Sequence, residues 1–292
     1  MAFFALLVIM RGLKGAARLS QWLVPCMALL WVMTCLLITL WHIVELPSIV
    51  NLIIRSAFGW QEAAAGAAGY TVSQAITSGF QRSMFSNEAG MGSTPNASAA
   101  ASSFPPHPAA QGIVQMIGVL IDTIVICSAS AMVVLLAGHG TKTTSYDGIQ
   151  LIQHAMNVLV GDWGASFVAL VMMLFAFTSV VANYVYAENN LIFLRWDKPW
   201  AIWLLRIATL SMVVLGSLLS LPVVWQMADV IMALMAITNL TAILLLSPVV
   251  RIIALDYLRQ RKLGVTPVFD PDYYPEIAQQ LAPESWDQPP RQ

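Results

Sequence analysis

Charge is what this sequence has least of. Of its 292 residues only 10% are Asp, Glu, Lys or Arg, against about 25% in soluble domains. The 14 basic and 15 acidic residues leave a formal net charge of −1, so no basic face exists to release counterions from a nucleic acid. Cysteine is scarce as well. Cys26, Cys35 and Cys127 all lie in apolar runs, where an odd number gives neither a disulfide framework nor a metal-binding spacing. They read as small buried hydrophobes. His42, His107, His139 and His154 are isolated in sequence, so no metal site is assigned to them. The chain has no nucleophile elbow, no metal-binding histidine pair and no phosphate-cradling loop. These absences argue against an enzyme.

What is present is apolar. Hydrophobic residues make up 58% of the chain and the mean hydropathy is +0.73. One soluble core could not hide that many nonpolar side chains, so lipid must serve as much of the solvent. Runs of membrane-crossing length lie near 20–41, 67–103, 109–137, 164–194, 200–220 and 223–250, each near or above the ~20 residues a spanning helix requires. The opening MAFFALLVIM is half that length and has no basic residue before it. It reads as the tail of a helix rather than a secretory signal. The expected fold class is therefore all-α and polytopic. Residues 1–264 are expected to form a transmembrane domain of six complete spans plus the end of another. Residues 265–292, rich in Pro, Asp, Gln and Tyr, are expected to form a disordered cytoplasmic tail. Residues 46–58 and 146–160 are amphipathic and too short to cross, which suits interfacial helices.

Basic residues set the orientation. Arg11, Lys14 and Arg18 precede the first complete span, Arg195 and Lys198 lie four spans on, and Arg251, Arg259, Arg261 and Lys262 follow the last. The opposite loops hold only Arg55 and Lys142 beside Glu45, Glu62, Asp147 and Asp162. The positive-inside rule puts the first set, and the C-terminus, in the cytoplasm of a cell-membrane protein.

One span breaks the rules for a lipid-facing helix. Residues 79–104 read GFQRSMFSNEAGMGSTPNASAAASSF. Glycine costs about 1 kcal/mol in a helix interior and proline about 3. Irregular backbone at membrane depth survives only where protein covers it or where it lines a wet cavity. The pattern predicts two half-helices joined by an unwound strip near Gly90–Gly92. The positive N-terminal end near Thr94–Ala97 suits a carboxylate, and the negative C-terminal end of the other half suits a cation. A Gly/Ser packing face is the plainer alternative, and it holds for Ala97–Ser103.

The stretch FSNEAGMGSTPNASAAA resembles the signature of the sodium:alanine symporter family, also called the alanine-or-glycine:cation symporters. The likeness extends through VPCMALLWV, IGVLIDTIVICSASAMVVLLAG, LFAFTSVVANYVYAENNL and VWQMADVIMALMAITNLTAILLLS. It implies a partial leucine-transporter-type bundle with one broken helix here. On that template the spans correspond to the end of the fourth core helix and then the fifth to the tenth. The first core helix, which supplies half the ligands, has no counterpart here. Either the chain is a fragment, or a separate N-terminal polypeptide supplies the rest.

The resemblance implies sodium-coupled symport of a small neutral amino acid by alternating access, with Na+ as the coupling ion. It assigns Phe85, Ser86, Asn87, Gly90, Met91 and Gly92 to the substrate pocket, with alanine or glycine as substrates. Thr178 and Ser179 would offer hydroxyl oxygens to sodium; the plainer reading is that they bond back to the preceding turn. Asn183 departs from the aromatic residue expected at its position, which would admit glutamine. Arg82 and Asp229 fall in the outer halves of their spans and would form an outer gate, unless one snorkels to the headgroups. Glu88, Asp122 and Glu188 are costly inside a membrane. Glu88 would be a proton or cation site or, on the plainer reading, would hold the unwound strip by accepting backbone N–H groups; Asp122 would be a structural partner, and Glu188 would order the inner mouth. The rival readings are a non-transporting remnant of such a symporter, an amino-acid channel and an intramembrane enzyme.

Overall fold

The computed structural model describes residues 12–58, 68–138, 146, 148–281 and 286. The segment MAFFALLVIM, the loop residues Glu62, Lys142 and Asp147, and His139 lie outside the described residues. The described residues are helical with no strand. The helices are α1 (Gly12–Trp41), α2 (Leu46–Ala57), α3 (Ala68–Asn87), α4 (Thr94–Ala100) and α5 (Pro108–Gly138). They continue with α6 (Ile149–Val160), α7 (Trp163–Phe193), α8 (Pro199–Leu218), α9 (Leu221–Lys262) and the short α10 (Pro275–Ala278). Trp22–Trp41 of α1, together with α5, α7, α8 and α9, is long and apolar enough to cross a membrane. This is an all-α, multi-pass membrane protein.

Two helices carry an internal proline, and α9 shows how it is tolerated. Pro248 has no N–H for the carbonyl four residues earlier, Leu244. The Ser247 hydroxyl donates to that carbonyl at 2.8 Å, so the helix stays unbroken at no cost in bare polar groups. At its end, Gly264 (φ 75°) takes the left-handed turn. The Val265 N–H reaches back to the Gln260 carbonyl, a Schellman closure. Arg259, Arg261 and Lys262 fill the last turn, where positive charge complements the helix dipole.

The chain divides into two compact units. One comprises the chain up to Asn87 plus Leu120–Asp229, the other Glu88–Val119 plus Val230 onward. The first unit has a core built from α1, the end of α5, α6 and α7. Trp31, Cys35, Val133, Met156, Val168 and Val171 are buried there. Trp31 satisfies its indole N–H by donating to Ser130 Oγ at 2.9 Å. The α6–α7 corner is close-packed: a Cβ on Gly164 would fall 2.7 Å from the Met156 carbonyl group, so only glycine fits. Helix α6, expected on amphipathicity to lie at the interface, thus sends Ala155 and Met156 into this core.

The second unit contains the described part of the segment expected to be a disordered tail. Residues 265–281 are folded against the loop that precedes α5. The Phe269 N–H donates to the Pro106 carbonyl (3.0 Å). The Gln260 side-chain amide both donates to and accepts from the Val268 backbone at 2.9 Å. Phe269 is 1% exposed, edge-on to His107 and to Trp286 and stacked on Tyr274. His107 is fully buried; its Nδ1 accepts from the Ala109 N–H. That leaves the Nε2 hydrogen to donate to Asp256 Oδ2 at 3.2 Å. Burial holds the His107 pKa below its ordinary value, against the opposing pull of Asp256. Burial, and then the same carboxylate, raise that of Tyr274. A few aromatic side chains and one amide override the polar composition of the segment.

Candidate functional site

The interruption falls where glycine and proline placed it. Helix α3 ends at Asn87 and α4 begins at Thr94, with Pro95 in its first turn. Between them Glu88, Gly90 and Gly92 have φ of 51°, 83° and 94°. For Glu88, left-handed backbone costs about 1–2 kcal/mol. The Glu88 peptide carbonyl, rather than the carboxylate expected for this task, closes the turn by accepting the Met91 N–H at 3.0 Å. Gly90 and Gly92 also lie against α9. Added Cβ atoms would meet Leu240 at 3.4 Å and Asn239 at 3.3 Å. Met91 and Ser93 are buried. Asn239 was not singled out in the sequence, because nothing there announces that a glycine 147 residues upstream rests on it.

Phe85, Ser86 and Asn87 close α3 in the first unit. Their polar groups face the part of α5 that is wound as a π-helix, Ile121–Cys127. Ser86 Oγ donates to Asp122 Oδ2 at 2.7 Å and lies 3.2 Å from Cys127 Sγ. Asn87 Nδ2 donates to Thr123 Oγ1 at 3.1 Å. The hydroxyl–carboxylate bond is charge-assisted and about twice as strong as a neutral one. It places Asp122 beside the C-terminal end of α3, where unpaired carbonyls already carry partial negative charge. Asp122 is thus a partner of the candidate pocket residues, and Thr123 joins it. The π stretch adds one residue to the turn, and IDTIVIC contains no glycine or proline to signal it.

Arg82 and Asp229 come together. Arg82 Nη1 is 4.0 Å from Asp229 Oδ1, with both side chains about half exposed. Trp225 completes the group: the Arg82 guanidinium lies 4.3 Å from its ring centre, and Phe85 meets it edge-on at 4.9 Å. The spacings explain this. Arg82 and Phe85 are three apart on α3, Trp225 and Asp229 four apart on α9, so each pair shares a helix face. A half-exposed ion pair contributes about 0–1 kcal/mol; the aromatic contact is of similar size.

On α7, Thr178 is 7% exposed and its hydroxyl donates to the Leu174 and Phe175 carbonyls at 3.2 and 2.9 Å. This is the back-bonded arrangement; the oxygen's lone pairs face elsewhere. Ser179 is exposed and its carbonyl accepts from Asn183 Nδ2 at 3.0 Å. Asn183 itself is exposed. The three residues share one stretch of α7, with Ser179 and Asn183 on the same face one turn apart. Among the described residues no group of three or more His, Cys, Asp or Glu is placed to hold a metal ion.

Relatives of this chain include transporters. The chain is 69% identical over 287 residues to the uncharacterized transporter YaaJ of Escherichia coli (strain K12), covering 98% of this chain and 60% of that protein. It is 42% identical over 269 residues to the amino-acid carrier protein AlsT of Bacillus subtilis (strain 168), covering 92% and 56%. It is 41% identical over 265 residues to the probable sodium/glutamine symporter GlnT of the same organism, covering 91% and 54%. The chain therefore spans between half and two-thirds of the length of these relatives. The sodium:alanine symporter family matches residues 1–271, and the chain belongs to that family.

Proposed function

We propose that this protein carries a small neutral amino acid across the cell membrane together with sodium, by alternating access. The observation that carries this reading is the interruption at residues 88–93 between α3 and α4. Backbone that leaves the regular helix there can turn peptide groups toward a solute's carboxylate and ammonium without a dedicated charged side chain. Family membership supports the reaction class, and the printed names of AlsT and GlnT support an amino acid and sodium. Phe85, Ser86, Asn87, Gly90, Met91 and Gly92 are the proposed substrate residues, and Asn183 tunes which side chain is accepted. Alanine or glycine is the proposed substrate, with glutamine next. Thr178 and Ser179 are the proposed sodium ligands. Arg82 and Asp229, braced by Trp225, are the proposed outer gate. The basic segments around Arg195 and Arg259 and the C-terminus face the cytoplasm in this reading.

The test is uptake of labelled alanine, glycine and glutamine by vesicles containing the protein. An inward sodium gradient should accelerate uptake of one of them, and that amino acid should in turn tighten sodium binding, because linkage is reciprocal. Uptake indifferent to sodium would indicate a channel, and no uptake of any of the three would overturn the reading.

A further inference from the structure

The second unit holds a groove that the carrier reading does not use. Its walls are the first turns of α5 and residues 250–258 of α9. Gly112, Ile113 and Met116 line one wall and Val250, Ala254 and Leu258 the other, around a cavity of about 580 Å³. Helical spacing explains both walls. Gly112 and Met116 are one turn apart, as are Val250, Ala254 and Leu258, so each set shares one face of its helix. Met116, Val250 and Leu258 are each more than half exposed within the chain. The depth of the groove comes from residue 112. Glycine is a poor helix former, and a Cβ at Gly112 would meet nothing within 4 Å. The protein therefore leaves open a space that an ordinary side chain would fill.

The walls are held together before anything enters. The His107–Asp256 hydrogen bond ties the residue before α5 to α9. Tyr257, which also lines the groove, lies edge-on to His107 at 5.1 Å. The groove is about as long as one leaflet is thick. From Pro108 to Met116, and from Val250 to Leu258, is roughly 12 Å along each helix, and half the hydrocarbon layer is roughly 15 Å. One end is positive. Arg261 follows Tyr257 by four residues and Leu258 by three, so it continues the groove face one turn on. Lys262 follows Leu258 by four. Both are exposed, and among the described residues neither has a carboxylate partner. Membrane orientation requires only that basic residues lie somewhere beyond the span. It does not require Arg261 to stand in line with an apolar groove.

We propose that this groove binds one anionic phospholipid, with an acyl chain between α5 and α9 and the phosphate at Arg261 and Lys262. Both halves of the site select the occupant. An apolar groove alone would accept any lipid or another helix. A helix from a second copy would fill it but would leave Arg261 and Lys262 without an anion, unless it carried an acidic residue at that one height. An anionic phospholipid brings chain and phosphate in a single molecule. Such lipids are concentrated in the cytoplasmic leaflet, which these residues face in the orientation given above. The guanidinium fork of Arg261 matches two phosphate oxygens at once. A lipid so bound braces the start of α5 against α9 from the membrane side, as His107 and Asp256 do from the aqueous side.

Native mass spectrometry of the purified full chain tests the site. The probes are phosphatidylglycerol and phosphatidylcholine with the same acyl chains, supplied in equal amounts. The wild-type protein should retain phosphatidylglycerol in preference. Arg261→Gln should weaken phosphatidylglycerol binding roughly fivefold, the effect of one charge near a membrane surface, and leave phosphatidylcholine unchanged. Gly112→Leu fills the groove and should weaken retention of both lipids. Both positions are exposed, and leucine is a better helix former than glycine, so both variants should keep the wild-type melting temperature. Arg195→Gln, which removes a basic residue between α7 and α8, should leave the preference intact. Equal retention of the two lipids by the wild type overturns the proposal. So does a preference that survives Arg261→Gln, one that Arg195→Gln removes equally, or retention that Gly112→Leu leaves unchanged. A dimer that Gly112→Leu dissociates overturns it in favour of a second copy in the groove. None of these outcomes depends on uptake of a solute, so failure of the carrier reading leaves the test standing.

Discussion

Two membrane-length segments depart from regular winding, and they do so in opposite ways. Between α3 and α4 the helix stops and three residues take positive φ. Within α5 the chain stays wound through Ile121–Cys127 but admits an extra residue per turn. The first departure is imposed by the backbone: two glycines and a proline make continuation costly. The second comes with side-chain bonds, since Asp122 and Thr123 are held by Ser86 and Asn87 across to α3. An open break creates binding capacity, whereas a π stretch re-aims side chains without releasing the backbone. Here the π stretch supports the helix that leads into the break.

This contrast can be broken most decisively at Gly92. Gly92→Val places a branched side chain at φ 94° and 3.3 Å from Asn239. Left-handed backbone alone costs about 1–2 kcal/mol for an ordinary residue, and the contact adds to it. Loss of sodium-driven uptake and a lower melting temperature are expected; wild-type behaviour in both would show that the break does not depend on its backbone. A smaller effect is expected from Asp122→Ala, which leaves Ser86 only the sulfur of Cys127 as an acceptor. The bond is partly exposed, so the cost in stability is about 1 kcal/mol, read from thermal unfolding. Asp122→Asn, which keeps an acceptor oxygen, should recover part of it. Equal stability of both variants and the wild type would detach the π stretch from the end of α3. The smallest change is expected from Asp229→Asn. An ion pair so exposed contributes at most about 1 kcal/mol, so folding should hold while labelling of a cysteine placed below Trp225 from outside becomes faster. Unchanged labelling would remove Arg82 and Asp229 from the gate.

How much of this could be read beforehand follows from the same contrast. Glycine and proline act locally, so the break at Gly90–Gly92 and the restart before Pro95 were legible in the order of residues. Charges inside apolar runs were legible too, and they marked Arg82, Asp122, Glu188 and Asp229. Their partners were not. Ser86 finds Asp122 36 residues further on, and Arg82 finds Trp225 across about half the chain; no periodicity encodes such pairs. Nor does IDTIVIC announce π winding, since no residue in it breaks an ordinary helix. Thr178 and Ser179 were legible as hydroxyls in a membrane helix, and for Thr178 the plainer of the two readings, a bond back to its own helix, is the arrangement found. The segment after Val265 adds a further case. Its polar composition suggested an unfolded segment, yet among the described residues Phe269 and the Gln260 amide hold part of it against the end of α9.

The length of α9 has a consequence. At 1.5 Å per residue, its 42 residues reach roughly 63 Å, about twice the thickness of the hydrocarbon layer. A helix that long cannot be held inside the layer from end to end at an ordinary tilt, so one of its ends must lie in polar surroundings. The end with Arg259, Arg261 and Lys262 suits that medium, and it is the end that presents Asp256 to His107.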